Sequence, residues 1–300
     1  MALITRDRSD LRGIAFAVAA AISFGTLAIS AKLGYRAGAG PIPLLATRFA
    51  VAVALLASLQ AMRRDKVRPP ARSVIRLMLL GAFGYAAESA LFFAALENAP
   101  ASVVGLVFYS YPMWTALLGL AARLDRFRPQ LLLALLLGSA GVAIVFSREI
   151  ERTGAKGPLL ALAAAVAVAL FLIGIQVWTE GIDATSSALW TSAGAGLALL
   201  VAWPLSGQSL PLGGLPSAAA LGLASATAFV LLYAAIARLG SSRAAVATMV
   251  EPVATVILAA AFLGEPISIQ VLGGAALIVA ALPVLAMTGR DSRIDAPPVA

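Results

Sequence analysis

The chain is a succession of apolar runs, each long enough to cross a lipid bilayer as a helix. A membrane-spanning helix needs about 20 mainly apolar residues, and ten runs of this 300-residue sequence meet that condition. The predicted spans, numbered 1 to 10 in chain order, are residues 11–33, 42–62, 74–96, 102–122, 130–147, 157–178, 184–204, 215–237, 242–262 and 267–287. The pattern predicts an all-α integral membrane protein with ten transmembrane helices and short connections.

Composition agrees with this class and argues against others. Apolar residues make up 61% of the chain and charged residues 12%, whereas a soluble domain has about 25% charged residues. The net charge of +8 does not indicate nucleic-acid binding, because the basic residues lie in short loops between apolar runs. The sequence has no His and no Cys, and we expect neither a metal site nor a cofactor.

The distribution of Lys and Arg predicts the orientation. With the N-terminus in the cytoplasm, the inner segments hold 16 of the 22 basic residues and the outer segments hold 5. Cytoplasmic loops carry the excess of basic residues in membrane proteins, so both termini are expected to be cytoplasmic in a bacterial-type inner membrane. The segment 147–157 opposes this bias, with three basic residues on the outer side.

The second half of the chain repeats the first at a constant offset of 140 residues. Residues 94–145 align without a gap on residues 234–285, so that Pro112 falls on Pro252 and Thr115 on Thr255. Each repeat has five spans, an odd number, so the second copy enters the membrane upside down. The sequence predicts an inverted-topology repeat, as in many secondary transporters. The predicted units are residues 1–150, residues 151–290 and a disordered tail, 291–300.

Pro112 and Pro252 interrupt spans 4 and 9 near their middles. A proline inside a helix removes one backbone hydrogen bond and displaces the preceding turn, which frees carbonyls near Phe108 and Thr248. In lipid such breaks face protein or a water-filled cavity. Matched broken helices in the two halves of a chain point to a transporter's binding site.

Three ionisable residues lie inside predicted spans, where such groups are candidates for function. Arg48 is interpreted as structural or gating, either reaching the outer interface or bracing neighbouring carbonyls. Glu88 shares a helix face with Tyr85 and Phe92, three and four residues away. A carboxylate beside aromatic rings suits a small amine or amino acid, while the alternative is a glutamate bonded to a neighbouring helix.

Glu251 is the repeat mate of Tyr111, and each directly precedes one of the mid-span prolines. Glu251 would meet a cation or a proton, and Tyr111 would offer a ring face and a hydroxyl. The alternative is that the prolines only bend the helices and Glu251 is bonded to a neighbour. The predicted substrate-binding residues are Tyr85, Glu88, Phe92, Phe108, Tyr111, Trp114, Thr248 and Glu251.

Ten spans in two sets of five resemble the drug/metabolite transporter superfamily, and within it the EamA-type transporters. In each half a Ser precedes the mid-span Pro by ten residues, as in Ser242 and Pro252, and an acid follows in the next loop, in "RLDRFRP" at 123–129 and "FLGEPIS" at 262–268. Pro43 with Arg48 is similar to the family's span-2 pattern. The chain departs from it at Asp125, where Leu-Asp replaces the usual Gly-Glu, in a loop that we expect not to affect the site.

The resemblance implies a central cavity lined by spans 1, 3, 4, 6, 8 and 9, and export of amino acids or other small metabolites. The leading hypothesis is therefore a secondary transporter, not an enzyme, whose partners are a small-molecule substrate and the lipid bilayer. No phosphate-binding loop is present, so protons or an exchanged solute would drive transport. The alternatives are a transporter of nucleosides or drug-like cations, and a membrane scaffold that transports nothing.

Overall fold

A computed structural model of the protein describes residues 2–62, 69–96, 98–99, 101–146, 154–263 and 269–287. These residues form thirteen α-helices and no strand. The helices are α1 (Ala2–Arg36), α2 (Pro41–Met62), α3 (Ala71–Leu79), α4 (Ala86–Leu96), α5 (Ala101–Phe108), α6 (Tyr111–Ala121), α7 (Pro129–Phe146), α8 (Lys156–Trp178), α9 (Ala184–Ser206), α10 (Leu215–Leu239), α11 (Ser241–Ala247), α12 (Glu251–Leu263) and α13 (Ile269–Ala286). The tail 291–300, Glu265 and the basic segment 63–68 lie outside the described residues.

The thirteen helices account for the ten predicted spans, and the predicted fold class is confirmed. Three spans consist of two helices each: α3 and α4 form span 3, α5 and α6 form span 4, and α11 and α12 form span 9. Seven of the described helical segments are long and apolar enough to cross a bilayer, and residues 129–144 and 272–286 form shorter apolar helices. The tenth span, span 4, is divided by its break into the short helices α5 and α6.

The mid-span prolines stand at the beginnings of helices. Proline is favoured in the first turn of a helix, where its missing N–H has no partner to lose. It occupies one of the first two positions of α2, α6, α7, α10 and α12. In span 9 a 3₁₀ turn, Thr248–Val250, precedes α12. Because α6 begins at Tyr111 and α12 at Glu251, the two breaks lie at equivalent positions of the repeats.

Span 3 is interrupted by a feature that the sequence did not predict. Residues Leu80–Tyr85 form a π-helix between α3 and α4. Here span 3 crosses α9 at backbone contact distance, since a Cβ atom on Gly81 of the π-helix would collide with the Thr191 carbonyl, and one on Gly194 of α9 would collide with the carbonyl of Met78 in α3. π-Helical turns occur often at functional sites, and this turn sets the direction of Tyr85 and Glu88.

Candidate functional site

A cavity of about 300 Å³ is lined by residues of both repeats. Its walls come from α1, α2, spans 3, 4 and 9, α8 and α10. The expected spans 1, 3, 4, 6, 8 and 9 all contribute, and span 2 is an unexpected addition through Leu44, Leu45 and Arg48. The cavity extends to the end of the bundle where α1 ends, because Ala31 and Tyr35 also line it.

Seven of the eight predicted substrate-binding residues line this cavity. The exception is Trp114, whose indole Nε1 donates a hydrogen bond to the Ser110 hydroxyl at 3.2 Å, one turn earlier in the same span. The seven are Tyr85, Glu88, Phe92, Phe108, Tyr111, Thr248 and Glu251. The fold therefore gathers residues that lie more than 160 positions apart in the sequence.

Arg48 lies in the cavity wall and is only 5% exposed. Its Nε donates to the Ser225 hydroxyl at 2.5 Å and its Nη2 to the Tyr85 hydroxyl at 2.8 Å. The guanidinium carbon is 5.0 Å from the ring centre of Phe49 and 5.6 Å from that of Tyr85. The guanidinium is thus fixed inside the bundle by hydroxyl groups and ring faces.

Glu88 projects from the first turn of α4 into the cavity and is 7% exposed. The adjacent Ser89 hydroxyl donates to its Oε2 at 3.1 Å. Tyr85, three residues earlier at the end of the π-helix, lies on the same side and holds Arg48. Glu88 is close enough to Arg48 for electrostatic attraction.

Glu251 is the first residue of α12 and is half-buried. The Tyr109 hydroxyl forms a hydrogen bond with its carboxyl group. Glu251 is within electrostatic range of both Glu88, which repels it, and Arg48, which attracts it. One cation and two carboxyl groups from three separate spans therefore act on the same cavity.

Tyr111 and Thr248 were both predicted as substrate contacts, and the structure joins them to each other. Their hydroxyl oxygens are 2.8 Å apart. The Thr248 hydroxyl also lies 3.1 Å from the Ala244 carbonyl and 2.9 Å from that of Ala245, both in the preceding helix α11. The Tyr111–Thr248 bond connects the break of span 4 directly to the break of span 9.

Among the residues that sequence reasoning missed, three contribute polar groups: Tyr109 and Thr255 line the cavity, and Ser225 holds Arg48. Thr255 lines the cavity one turn after Glu251, and this i, i+4 spacing was a usable signal. Tyr109, two residues before Tyr111, was recognisable only as part of an aromatic cluster. Ser225 gave no local signal, since its partner Arg48 is 177 residues away.

The end of the bundle where α1 begins is closed by polar contacts. Arg243 Nη2 lies 3.2 Å from Asp10 Oδ2 in a buried ion pair. The Ser242 hydroxyl donates to Asp125 Oδ2, and the Ser241 backbone N–H donates to Gln176 Oε1 at 2.6 Å. The loop residue Asp125, expected not to affect the site, thus takes part in the contacts at this end of the bundle.

Two inverted five-helix repeats around a cavity with charged groups define a membrane transporter. Residues 11–147 and 155–287 each match the EamA-like transporter family, and the chain belongs to this family, as its resemblance predicted. The chain is 25% identical over 287 residues to the uncharacterized transporter YcbK of Bacillus subtilis (strain 168), covering 90% of this chain and 91% of that one. A solved crystal structure shares its fold with a TM-score of 0.77 and 21% identity, covering 95% of this chain and 99% of that one.

Proposed function

We propose that this protein is a secondary transporter that exports amino acids or related small zwitterionic metabolites across the cytoplasmic membrane. One observation carries the proposal: a guanidinium and two carboxyl groups face a single cavity whose remaining wall is mostly apolar and aromatic. Ligand pockets commonly combine an apolar lining with a few placed polar groups that fix orientation. A zwitterion presents both signs of charge, and this cavity offers a partner for each.

The arrangement suggests a binding mode for the substrate. Its carboxylate would lie against Arg48, since Arg binds carboxylates through several N–H donors of fixed geometry. Its ammonium group would lie between Glu88 and Glu251. The side chain would then pack against the rings of Phe92 and Phe108, whose centres are 4.9 Å apart.

The orientation and the driving force form part of the same proposal. The basic-residue bias predicts that both termini are cytoplasmic. In that orientation the cavity would open outward and the Asp10–Arg243 pair would close the inner end. Ionisable residues inside the membrane often serve proton relays in transporters. Glu88 and Glu251 are the candidate proton carriers, with exchange against a second solute as the other driving force.

A ligand screen on the purified protein tests the proposal. A ligand that binds only the folded state stabilises it by about 2.7 kcal/mol at 100 times its Kd, which thermal unfolding detects. We expect stabilisation by amino acids, weakened in Glu251→Gln and retained in Glu180→Gln, an exposed loop control. Stabilisation by nucleosides or cationic drugs, with none by amino acids, would show that the substrate belongs to one of those classes instead. Absence of transport of all three classes in proteoliposomes would favour a membrane scaffold.

A further inference from the structure

The three ionisable groups of the cavity are hydrogen-bonded only to neutral side chains. Arg48 donates to the hydroxyls of Ser225 and Tyr85. Glu88 accepts from Ser89, its neighbour in the sequence, and Glu251 is bonded to a tyrosine hydroxyl. Among the residues that the structure describes, none of these three groups forms an ion pair within 4 Å.

This state is unusual for charged groups inside a protein, which are seldom buried without a partner of opposite charge. The same chain does pair a buried charge elsewhere, where Arg243 contacts Asp10 at 3.2 Å. In the cavity the charges are kept apart although they are near enough to act on one another. A bound molecule with groups of the opposite charge would supply a partner for each of them, and an ammonium group beside a buried carboxyl favours its ionised form.

The number of charged groups constrains that molecule. With both carboxyl groups ionised, Glu88 and Glu251 outweigh Arg48 by one negative charge. A zwitterion with one ammonium and one carboxylate satisfies Arg48 and one glutamate, and it leaves the other glutamate without a partner. A molecule with two cationic groups and one carboxylate satisfies all three.

We propose that the substrate class of this cavity is dibasic amino acids, whose two cationic groups meet Glu88 and Glu251 while the carboxylate meets Arg48. This inference rests on the proposed function. The two carboxyl groups line the same cavity from different repeats, Glu88 from span 3 and Glu251 from span 9, so each can contact a different cationic group. The aliphatic chain between the two ammonium groups packs against the aromatic wall.

Three probes of nearly equal length test the inference on the full-length purified protein at pH 7. Lysine carries both ammonium groups and the carboxylate, norleucine lacks the second ammonium, and cadaverine lacks the carboxylate. Because a hydrogen bond to a charged group contributes more than a neutral one, we expect lysine to bind at least about tenfold more tightly than either analogue. The measurement is the Kd from calorimetry, with folding of every variant checked by its melting temperature.

Two variants test whether Glu88 and Glu251 cause the preference for lysine over norleucine. Glu251→Gln and Glu88→Gln should each bring the ratio of the lysine and norleucine Kd values close to one, whereas Glu180→Gln should leave the ratio unchanged. Equal affinity of the normal protein for lysine and norleucine would overturn the inference and leave amino-acid transport standing. Equal affinity for lysine and cadaverine would overturn the assignment of Arg48. Binding of nucleosides with no amino acid bound would instead overturn the proposed function itself.

Discussion

The broken spans 4 and 9 hold equivalent places in the two repeats, yet their second helices have different surroundings. α6 begins at Tyr111 and α12 at Glu251, which are repeat mates. One turn further, Thr115 and Thr255 are again mates. Thr115 is 0% exposed, whereas Thr255 lines the cavity. At this position the second helix is therefore buried in the first repeat, whereas in the second repeat it faces the cavity.

The contacts around Thr115 explain the difference. The Ser242 hydroxyl lies 3.3 Å from the Thr115 carbonyl and also donates to Asp125 Oδ2. Gly119 is packed so tightly here that a Cβ atom would collide with the Asp125 carboxylate. In an inverted repeat, exchanging the environments of the two halves converts an opening at one end into an opening at the other. The asymmetry of the two threonines is what one end state of alternating access requires.

The breaks also differ in chemistry. Tyr111 is bonded to the Thr248 hydroxyl of the other repeat, and its mate Glu251 is bonded to a tyrosine hydroxyl while facing the cavity. A symmetric scaffold therefore carries a polarised site. We infer that the first break joins the repeats and that the second binds the cationic end of the substrate.

Among substitutions at the two breaks, Glu251→Gln should have the largest effect on transport. The substitution keeps the size of the side chain and removes its charge, and loss of a charged partner in a buried contact costs roughly 2 kcal/mol or more, or about 30-fold in affinity. Transport in proteoliposomes should nearly disappear while the melting temperature stays near that of the parent. Normal transport by Glu251→Gln would move the site to Glu88 and the rings around it.

Opening the closed end should have the next largest effect. In Asp10→Asn the buried Arg243 loses its ion-pair partner, and breaking a buried pair costs roughly 3–5 kcal/mol. We expect the closed end, which is cytoplasmic in the proposed orientation, to be destabilised, so that a cysteine at Thr115 reacts with thiol reagents in inside-out vesicles faster than in the parent. Glu180→Gln is the control, and an unchanged rate in Asp10→Asn would show that this pair does not hold that end closed.

Glu88→Gln tests proton coupling. If Glu88 takes up and releases a proton during the cycle, transport by the parent protein depends on pH, and an amide at this position has no proton to exchange. The variant also loses a partner of the substrate's cationic group, so we expect slower transport, and the rate that remains should be flat over the pH range in which the parent varies. A pH profile like that of the parent would point to another coupling group.

Tyr111→Phe should have the smallest effect. It removes one hydrogen bond between neutral hydroxyls, which contributes about 0.5–1.5 kcal/mol, and it should lower the melting temperature slightly and weaken substrate affinity less than Glu251→Gln does. Thr248→Val removes the same bond from the other side. The double variant should therefore cost less than the two single variants added together, and full additivity would argue against the bond.

Much of the fold could be predicted from the sequence because the strongest signals in the sequence are local or periodic. Apolar runs locate the spans, the 140-residue offset exposes the repeat, and Pro112 and Pro252 mark the helix breaks. The π-helix before Glu88 escaped prediction, since its cause is the close crossing of Gly81 with α9, a contact between distant segments. The pairing of Arg48 with Ser225 escaped for the same reason.

The site residues could likewise be predicted only as far as local signals reach. Glu88 and Glu251 stood out because charged residues are rare inside apolar runs. Whether a side chain would face the cavity or another protein group depended on the packing of all the spans. Trp114 therefore looked like a candidate in the sequence although its indole is bonded within its own span.

Thiol labelling of the two matched threonines tests the central claim most directly. The chain has no native cysteine, so Thr255→Cys and Thr115→Cys can each be made without background, and Asn98→Cys serves as the control for an outer loop. With a membrane-impermeant reagent on intact cells, we expect Thr255→Cys and Asn98→Cys to be labelled and Thr115→Cys to remain unlabelled. Labelling of Thr115→Cys from outside, with Thr255→Cys protected, would contradict the account.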